Sequence, residues 1–90
     1  MNFEWDEDKN RNNIRKHGLS FEDAYQVFRT ALPPELDLRD SYGEERWTGI
    51  GLLGNRIVVV TFTRPDEDTV RVTSLRKALK HERKKFEEEI

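Results

Sequence analysis

The spacing of apolar residues changes along the chain, and each change marks a different kind of element. Phe3 and Trp5 alternate with polar residues, which predicts a short N-terminal strand. A helix is predicted next, from about residue 7 to 17, because Asp6 can cap its start and Gly18 can close its end. Ile14 is the one large apolar residue inside this helix. Tertiary contacts must therefore hold the helix in place.

A second helix is predicted after Ser20, which opens a variant of the capping box. Pro33 and Pro34 end this helix, since neither offers an N–H and each disfavours a helical residue before it. Apolar residues at helical spacing predict a stripe that faces the core, formed by Phe21, Ala24, Tyr25 and Phe28.

From Glu35 the apolar period becomes two, which predicts strands. A short edge strand through Leu36 and Leu38 precedes a turn at residues 41–43, and longer strands follow at about 45–53, 56–64 and 70–75. Gly54-Asn55 is a hairpin signal, and residues 65–68 form a second turn. The unbroken run from Ile57 to Val60 predicts a central strand. The expected sheet is an antiparallel meander.

The last segment, from Lys77 to the end, is predicted to be a helix. Leu79, Phe86 and Ile90 fall on one side and are expected to dock on the sheet. The opposite side is basic and carries Lys77, Lys80, His81 and Lys84. The sequence thus predicts an α+β fold in which an antiparallel meander sheet carries two N-terminal helices and one C-terminal helix. We expect residues 1–90 to form a single domain, because 34% hydrophobic content suffices for one small core.

The net charge of −2 hides an uneven distribution. Residues 1–45 hold six Lys and Arg against eleven Asp and Glu, whereas residues 46–90 hold ten against seven. Residues 71–85 alone hold seven basic residues against one acidic residue, Glu82. Such a stretch can bind a phosphate backbone locally, although a solvated helix face is the alternative interpretation.

Several function classes are disfavoured by what the sequence lacks. It contains no cysteine, so disulfides and thiolate zinc sites are excluded. No export signal or membrane-spanning stretch is visible, and we expect a cytoplasmic protein without membrane attachment. There is no glycine-rich phosphate loop and no carboxylate cluster typical of two-metal nucleases. Nuclease chemistry would have to be independent of metal, and no cofactor is expected.

The first candidate site residues are two arginines at strand ends, Arg64 and Arg76, because guanidinium groups can bind phosphate oxygens. If their two strands are antiparallel neighbours, Arg64 and Arg76 lie toward opposite ends of the strand pair. Pairing with the acidic residues at 66–68 is the structural alternative. Glu45-Arg46 could supply a base and an anion clamp.

The two histidines, His17 and His81, are candidates for proton transfer because imidazole titrates closest to neutrality. For His17 the alternative is structural, since it stands at the end of the first helix and can cap its last carbonyls.

Taken together, the motifs of the chain form a recognisable set. In chain order they are Phe3-Glu4-Trp5-Asp6, Lys16-His17-Gly18-Leu19-Ser20-Phe21-Glu22-Asp23-Ala24 with Val27-Phe28, Glu44-Glu45-Arg46 with Gly49-Ile50-Gly51, Val60-Thr61-Phe62-Thr63-Arg64, and Arg71-Val72-Thr73-Ser74-Leu75-Arg76-Lys77-Ala78 with Glu82-Arg83. This set resembles the BrnT family of bacterial type II toxins over nearly the whole length. Two positions depart from the family pattern, Leu75 in place of alanine and Phe86 in place of an aromatic hydroxyl.

The resemblance implies a RelE-like fold and a ribonuclease that stops growth by cutting RNA without a metal. It also implies a BrnA-like ribbon-helix-helix antitoxin as partner, in a hetero-oligomer that reaches operator DNA only through the antitoxin. The family's motif positions are Arg64, Arg76, Lys77, Glu45 and Arg46, with His17 as a further catalytic candidate and Lys80, His81 and Lys84 as candidates for RNA binding.

Two other functions stay open on sequence grounds. One is a catalytically weak module that binds RNA or acts with the antitoxin as corepressor, and the other is a structural interaction domain.

Overall fold

The computed structural model describes residues 1–37 and 45–90, so the turn predicted at 41–43 and the Leu38 end of its strand lie outside the described residues. The elements in chain order are β1 (Asn2–Glu4), α1 (Glu7–His17), a 3₁₀ turn (Phe21–Asp23), α2 (Ala24–Thr30), β2 (Glu35–Asp37), β3 (Arg46–Leu53), β4 (Arg56–Asp66), β5 (Thr69–Lys77) and α3 (Lys80–Glu89). None of the helices in these ranges has the length and apolarity that crossing a membrane requires.

The strands form one five-stranded sheet in the order β1-β5-β4-β3-β2. The meander from β2 to β5 is antiparallel, as predicted. The expectation of a purely antiparallel sheet is wrong, because β1 pairs with β5 in parallel and Phe3 lies opposite Val70. Glu4 and Arg71, which are also partners, form an ion pair of 2.7 Å. The alternation of apolar residues marked β1 as a strand but carries no information on its partner or direction.

Helix α1 has the predicted bounds, and its two ends explain them. The Asp6 carboxylate accepts hydrogen bonds from the first turn, and Gly18 closes the helix with a φ of 71° while its N–H donates to the Ile14 carbonyl. The inner face is polar: Asn10 and Asn13 are buried, whereas Ile14 is exposed. The helix is held by side-chain amides instead of an apolar stripe.

The main core lies between the sheet and the α1–α2 side. Aromatic contacts run from β1 through α2 to β4, since the Phe28 ring lies 5.4 Å from Phe3 and 5.0 Å from Phe62. The predicted stripe of the second helix is wrong at Tyr25, which is exposed, and Val27 is buried in its place. The helix starts as a 3₁₀ turn, and this turn shifts the buried face of the α-helix that follows.

A β-bulge changes the face to which β5 side chains point. Thr61 pairs with Ser74 while the next residue, Phe62, pairs with Val72, so Thr73 is an extra residue in β5. The alternation predicted over residues 70–75 is therefore broken. Val72 and Leu75 are both buried in the main core, and Ser74 points to the opposite face together with Arg76.

Helix α3 lies on that opposite face, against β3. Lys77 belongs to β5, so the final helix begins at Lys80 and not at Lys77 as predicted. The predicted apolar stripe is wrong at two of its three positions: Leu79 and Ile90 are 55% and 79% exposed, and only Phe86 is buried. Pairing of β5 with β4 extends through Lys77. Because β5 continues through Lys77, the helix begins later than predicted, and a different set of its residues faces the sheet.

Candidate functional site

The sheet face on the α3 side carries two aligned rows of side chains. In one row Ile50, Val59 and Arg76 are cross-strand partners. The adjacent row, which we call the hydroxyl row, consists of Thr48, Thr61 and Ser74. All three hydroxyl residues are half-buried. Polar groups thus cross three strands beside the Arg76 side chain.

Arg76 is fixed by a two-pronged ion pair to helix α3. Its Nη1 and Nη2 atoms donate to Oε1 and Oε2 of Glu82 at 2.7 and 2.9 Å, and the two side chains are 29% and 16% exposed. The Glu82 carboxylate also accepts the Leu79 N–H at 2.7 Å. The hydrogen bond from Arg76 lowers the pKa of Glu82 despite the opposing effect of burial. This pair anchors the start of α3 and holds the guanidinium group at the sheet face.

His17, at the end of α1, lies within electrostatic reach of Arg76. Burial lowers the pKa of His17, and the positive charges of Lys16 and Arg76 lower it further. Gly18 supplies the backbone cap, and the imidazole makes no hydrogen bond within residues 1–37 and 45–90. The charge of Arg76 therefore acts on a His17 side chain that the described residues leave without a hydrogen bond.

A groove of about 470 Å³ separates α3 from the outer strands. Arg76 and His81 line it, together with Thr48 of the hydroxyl row. Lys85 of α3 reaches across it to an ion pair with Glu35 of β2. The groove thus brings the second histidine of the chain into the surroundings of Arg76.

A second cavity, of about 640 Å³, lies at the end of the β3–β4 pair. It is lined by Glu45, Arg64 and the half-buried Trp47. Arg64 donates to the backbone carbonyl of Glu67 at 2.9 Å, so its bond in the turn is to the main chain and not to a carboxylate. The Thr63 hydroxyl beside it is buried and has no hydrogen-bond partner among residues 1–37 and 45–90.

The other predicted residues are dispersed. Arg46 is the cross-strand partner of Asp37 in β2. Lys77 is exposed at the end of β5, and Lys80 and Lys84 are exposed on α3. Within the described parts of the chain, no three His, Asp or Glu side chains come together in a way that could hold a metal ion.

Comparison with known proteins identifies the family of the chain. Residues 5–82 match the family model described as the ribonuclease toxin BrnT of a type II toxin–antitoxin system. The chain belongs to the BrnT family. A crystal structure of the Brucella abortus ribonuclease toxin BrnT superposes with a TM-score of 0.69 and 30% sequence identity, over 89% of this chain and 99% of that one. No curated protein matches the sequence.

For this BrnT-family chain, the structure divides the predicted site residues into two groups. Arg76 and His81 line one groove on the α3-side face, and His17, at the end of α1, lies within electrostatic reach of Arg76, whereas Glu45 and Arg64 share the second cavity. Along β4, Arg64 stands five residues beyond Val59, the partner of Arg76, which corresponds to about 16 Å. Sequence reasoning missed Glu82 as the partner of Arg76 and missed the hydroxyl row, which depends on strand register and on the bulge.

Proposed function

We propose that this BrnT-family chain is a toxin that inhibits growth by cutting RNA, as an endoribonuclease that requires no metal. The family match over residues 5–82 supports the ribonuclease class. The observation that best supports the chemistry is that His81 lines the same groove as Arg76, while His17 lies within electrostatic reach of the same guanidinium group.

The reaction that fits these groups uses the 2′-hydroxyl of RNA as nucleophile. Its oxygen attacks the adjacent phosphorus and the bond from phosphorus to the 5′-oxygen breaks, which leaves a 2′,3′-cyclic phosphate and a 5′-hydroxyl. One proton leaves the 2′-oxygen and one is supplied to the 5′-oxygen. The protein must provide a base, an acid and a cation for the charge on phosphorus. The nucleophile belongs to the substrate, so no metal-bound hydroxide is needed.

The residues around Arg76 meet these needs. A neutral His17 can accept the proton from the 2′-hydroxyl, because its lowered pKa keeps it unprotonated near neutral pH. Arg76, held by Glu82, offers a fixed positive charge to the phosphate oxygens. His81, across the groove, is the candidate acid. The hydroxyl row can hydrogen-bond the sugar-phosphate backbone beside them.

The decisive experiment is cleavage of a labelled RNA by the purified chain in EDTA. We expect cleavage with a 2′,3′-cyclic phosphate end, and no cleavage at a position where a single 2′-deoxy nucleotide removes the nucleophile. His17→Ala and Arg76→Ala should each lower kcat/KM by roughly 10²- to 10⁴-fold, provided that circular dichroism shows a folded protein.

Arg64→Ala and Glu45→Ala are the matched comparison, since they remove the same kinds of group from the second cavity. Loss of cleavage in these variants, with full activity in His17→Ala and Arg76→Ala, would move the chemistry to that cavity. If the wild-type chain neither cuts RNA nor slows bacterial growth, the ribonuclease proposal is wrong.

The antitoxin partner is part of the same proposal. The type II family implies an antitoxin, and we propose a BrnA-like ribbon-helix-helix protein that carries the complex to operator DNA. Co-expression of such a protein from the neighbouring reading frame should restore growth, and the purified complex should bind the operator while the toxin alone does not.

A second function is favoured by one observation. Both terminal nitrogens of Arg76 are engaged by Glu82, which would suit a module that binds RNA or antitoxin without cutting. Such a module would bind RNA in a salt-dependent manner and leave it intact, and charge reversal at Lys80 and Lys84 would weaken its binding.

A further inference from the structure

Helix α1 presents a polar stripe toward the outer edge of β5. Its members recur at helical spacing, so they share one side of the helix: Lys9, Asn12, Asn13, Lys16 and His17. With Thr73 and Ser74 of β5 they line a cleft of about 290 Å³, which we call the α1 cleft. Strand β1 covers β5 only at residues 69–71, so the cleft lies beside the part of β5 that β1 leaves uncovered.

The α1 cleft is positively charged, although the first half of the chain is acidic. Among the residues that the structure describes, no carboxylate lines it. Neither Lys9 nor Lys16 has an ion-pair partner within residues 1–37 and 45–90. Asp8, the nearest acid in sequence to Lys9, is paired with Arg11. Two lysines without carboxylate partners at a polar cleft are suited to phosphate oxygens.

The α1 cleft borders the hydroxyl row that lies beside Arg76. Ser74 lines the cleft and also belongs to the hydroxyl row. His17 lines the cleft and lies within electrostatic reach of Arg76. Lys9 and Lys16 are seven residues apart, about 10 Å along the helix, which is enough to contact more than one backbone phosphate.

We infer that the α1 cleft is a binding subsite for the phosphate backbone of single-stranded RNA. From this subsite the RNA would pass over Ser74 to the sheet face at Arg76. The inference rests on the proposed function, because it names where the substrate of that site is held. The lysines contact phosphate and not base edges, so the subsite adds affinity without sequence preference.

The test measures binding separately from cleavage. A fluorescent single strand of 2′-fluoro RNA has no 2′-hydroxyl and cannot be cut, so its anisotropy reports affinity alone. Near 0.1 M salt we expect Lys9→Gln and Lys16→Gln each to weaken binding by about 5-fold, and the double variant by about 25-fold. The slope of log K against log salt concentration should fall by roughly 0.7 for each lysine removed.

Arg15→Gln is the matched control, because it removes one positive charge from the same last turn of α1 at an exposed position outside the cleft. It should leave affinity and slope nearly unchanged. Equal effects of Arg15→Gln and Lys16→Gln would overturn the inference, as would a wild-type chain that does not bind the strand.

The same measurements separate the two proposals. Binding that weakens as expected, in a chain that leaves natural RNA intact, would support the subsite and refute the ribonuclease. Cleavage of natural RNA with unchanged affinity in both lysine variants would refute the subsite alone.

Discussion

Asn13 shows how one polar side chain can secure a helix that lacks an apolar stripe. Its amide donates to the carbonyls of Leu19 and Leu75 at 2.9 and 2.8 Å, and its oxygen accepts the Leu75 N–H at 3.2 Å. Both backbone groups of Leu75 are thus paired as they would be by a neighbouring strand. Asn10 acts in a similar way, since its oxygen accepts the Phe21 N–H at 2.8 Å.

Replacement of this amide should be costly. In Asn13→Ala, the buried Leu75 N–H and the two carbonyls lose their partner, and each unpaired buried group costs about 1–3 kcal/mol. We expect the free energy of unfolding to fall by about 3 kcal/mol in a urea titration, with little change in the slope. Asn12→Ala, at the exposed neighbouring position, should change it by less than about 0.5 kcal/mol. Equal stabilities of the two variants would contradict this role.

The sequence could not predict these buried amides. Apolar periodicity identifies side chains whose burial is favourable in itself. A polar side chain is buried only where hydrogen-bond partners exist. The partners of Asn13 lie 6 and 62 residues away along the chain. Asp6 and Gly18, by contrast, act on the helix ends beside them, and for that reason the bounds of α1 were predicted correctly.

At the scale of elements, the contact between α2 and β3 depends on a close approach at one glycine. A Cβ on Gly51 would lie 2.5 Å from the Val27 carbonyl oxygen and 3.1 Å from the Cα of Ala31. The end of α2 is also tied to β3, because the Leu52 N–H donates to the Thr30 hydroxyl at 2.8 Å and the Leu32 N–H donates to the Ile50 carbonyl at 2.9 Å. The helix has little room to move away.

Gly51→Ala should therefore destabilise the fold. The added methyl group forces backbone shifts of the kind that cost about 1–3 kcal/mol in a packed core. Gly49→Ala is the matched control, two residues away in the same strand, where the nearest atom to a new Cβ is a Val60 methyl carbon at 3.6 Å. We expect thermal unfolding to show a lowered Tm for Gly51→Ala and a nearly unchanged Tm for Gly49→Ala. The reverse order would be inconsistent with this packing.

Sequence signals within each segment predicted most elements, whereas contacts between distant segments determined the remaining features. The hairpin at Gly54-Asn55 and the central position of β4 were predicted correctly because turn residues and an unbroken apolar run indicate them directly. The bulge at Thr73 depends on how two strands fit together. This bulge determines the face of the sheet that carries Ser74 and Arg76. The residue types of the site could therefore be predicted from the sequence, but their arrangement in space could not.

At the scale of the whole molecule, the lowered pKa values of His17 and Glu82 make stability depend on pH. Both His17 and Glu82 bind protons less readily in the folded chain than in the unfolded one, so acidification favours unfolding. The contribution of His17 is complete above about pH 6.5 and is lost as pH falls through its lowered pKa. That of Glu82 is complete above about pH 4.3 and is lost at lower pH.

We expect the free energy of unfolding, measured by urea titration across this pH range, to fall in two steps on acidification. His17→Gln should remove the upper step and Glu82→Gln the lower one. Glu88→Gln, an exposed position on the same helix as Glu82, should keep both. A curve of wild-type shape in His17→Gln would show that the imidazole is not perturbed as described.

The parallel pairing of β1 with β5 also determines when the molecule can be completed during synthesis. Asn2 pairs with Thr69 and Asn13 bonds to Leu75, so the first strand and the first helix gain these partners only after residues 69–75 have left the ribosome. The α1 cleft and the surroundings of Arg76 both include residues of β5, so neither can form before that strand. A nascent chain built in this way cannot assemble the surroundings of Arg76 until β5 has been synthesised.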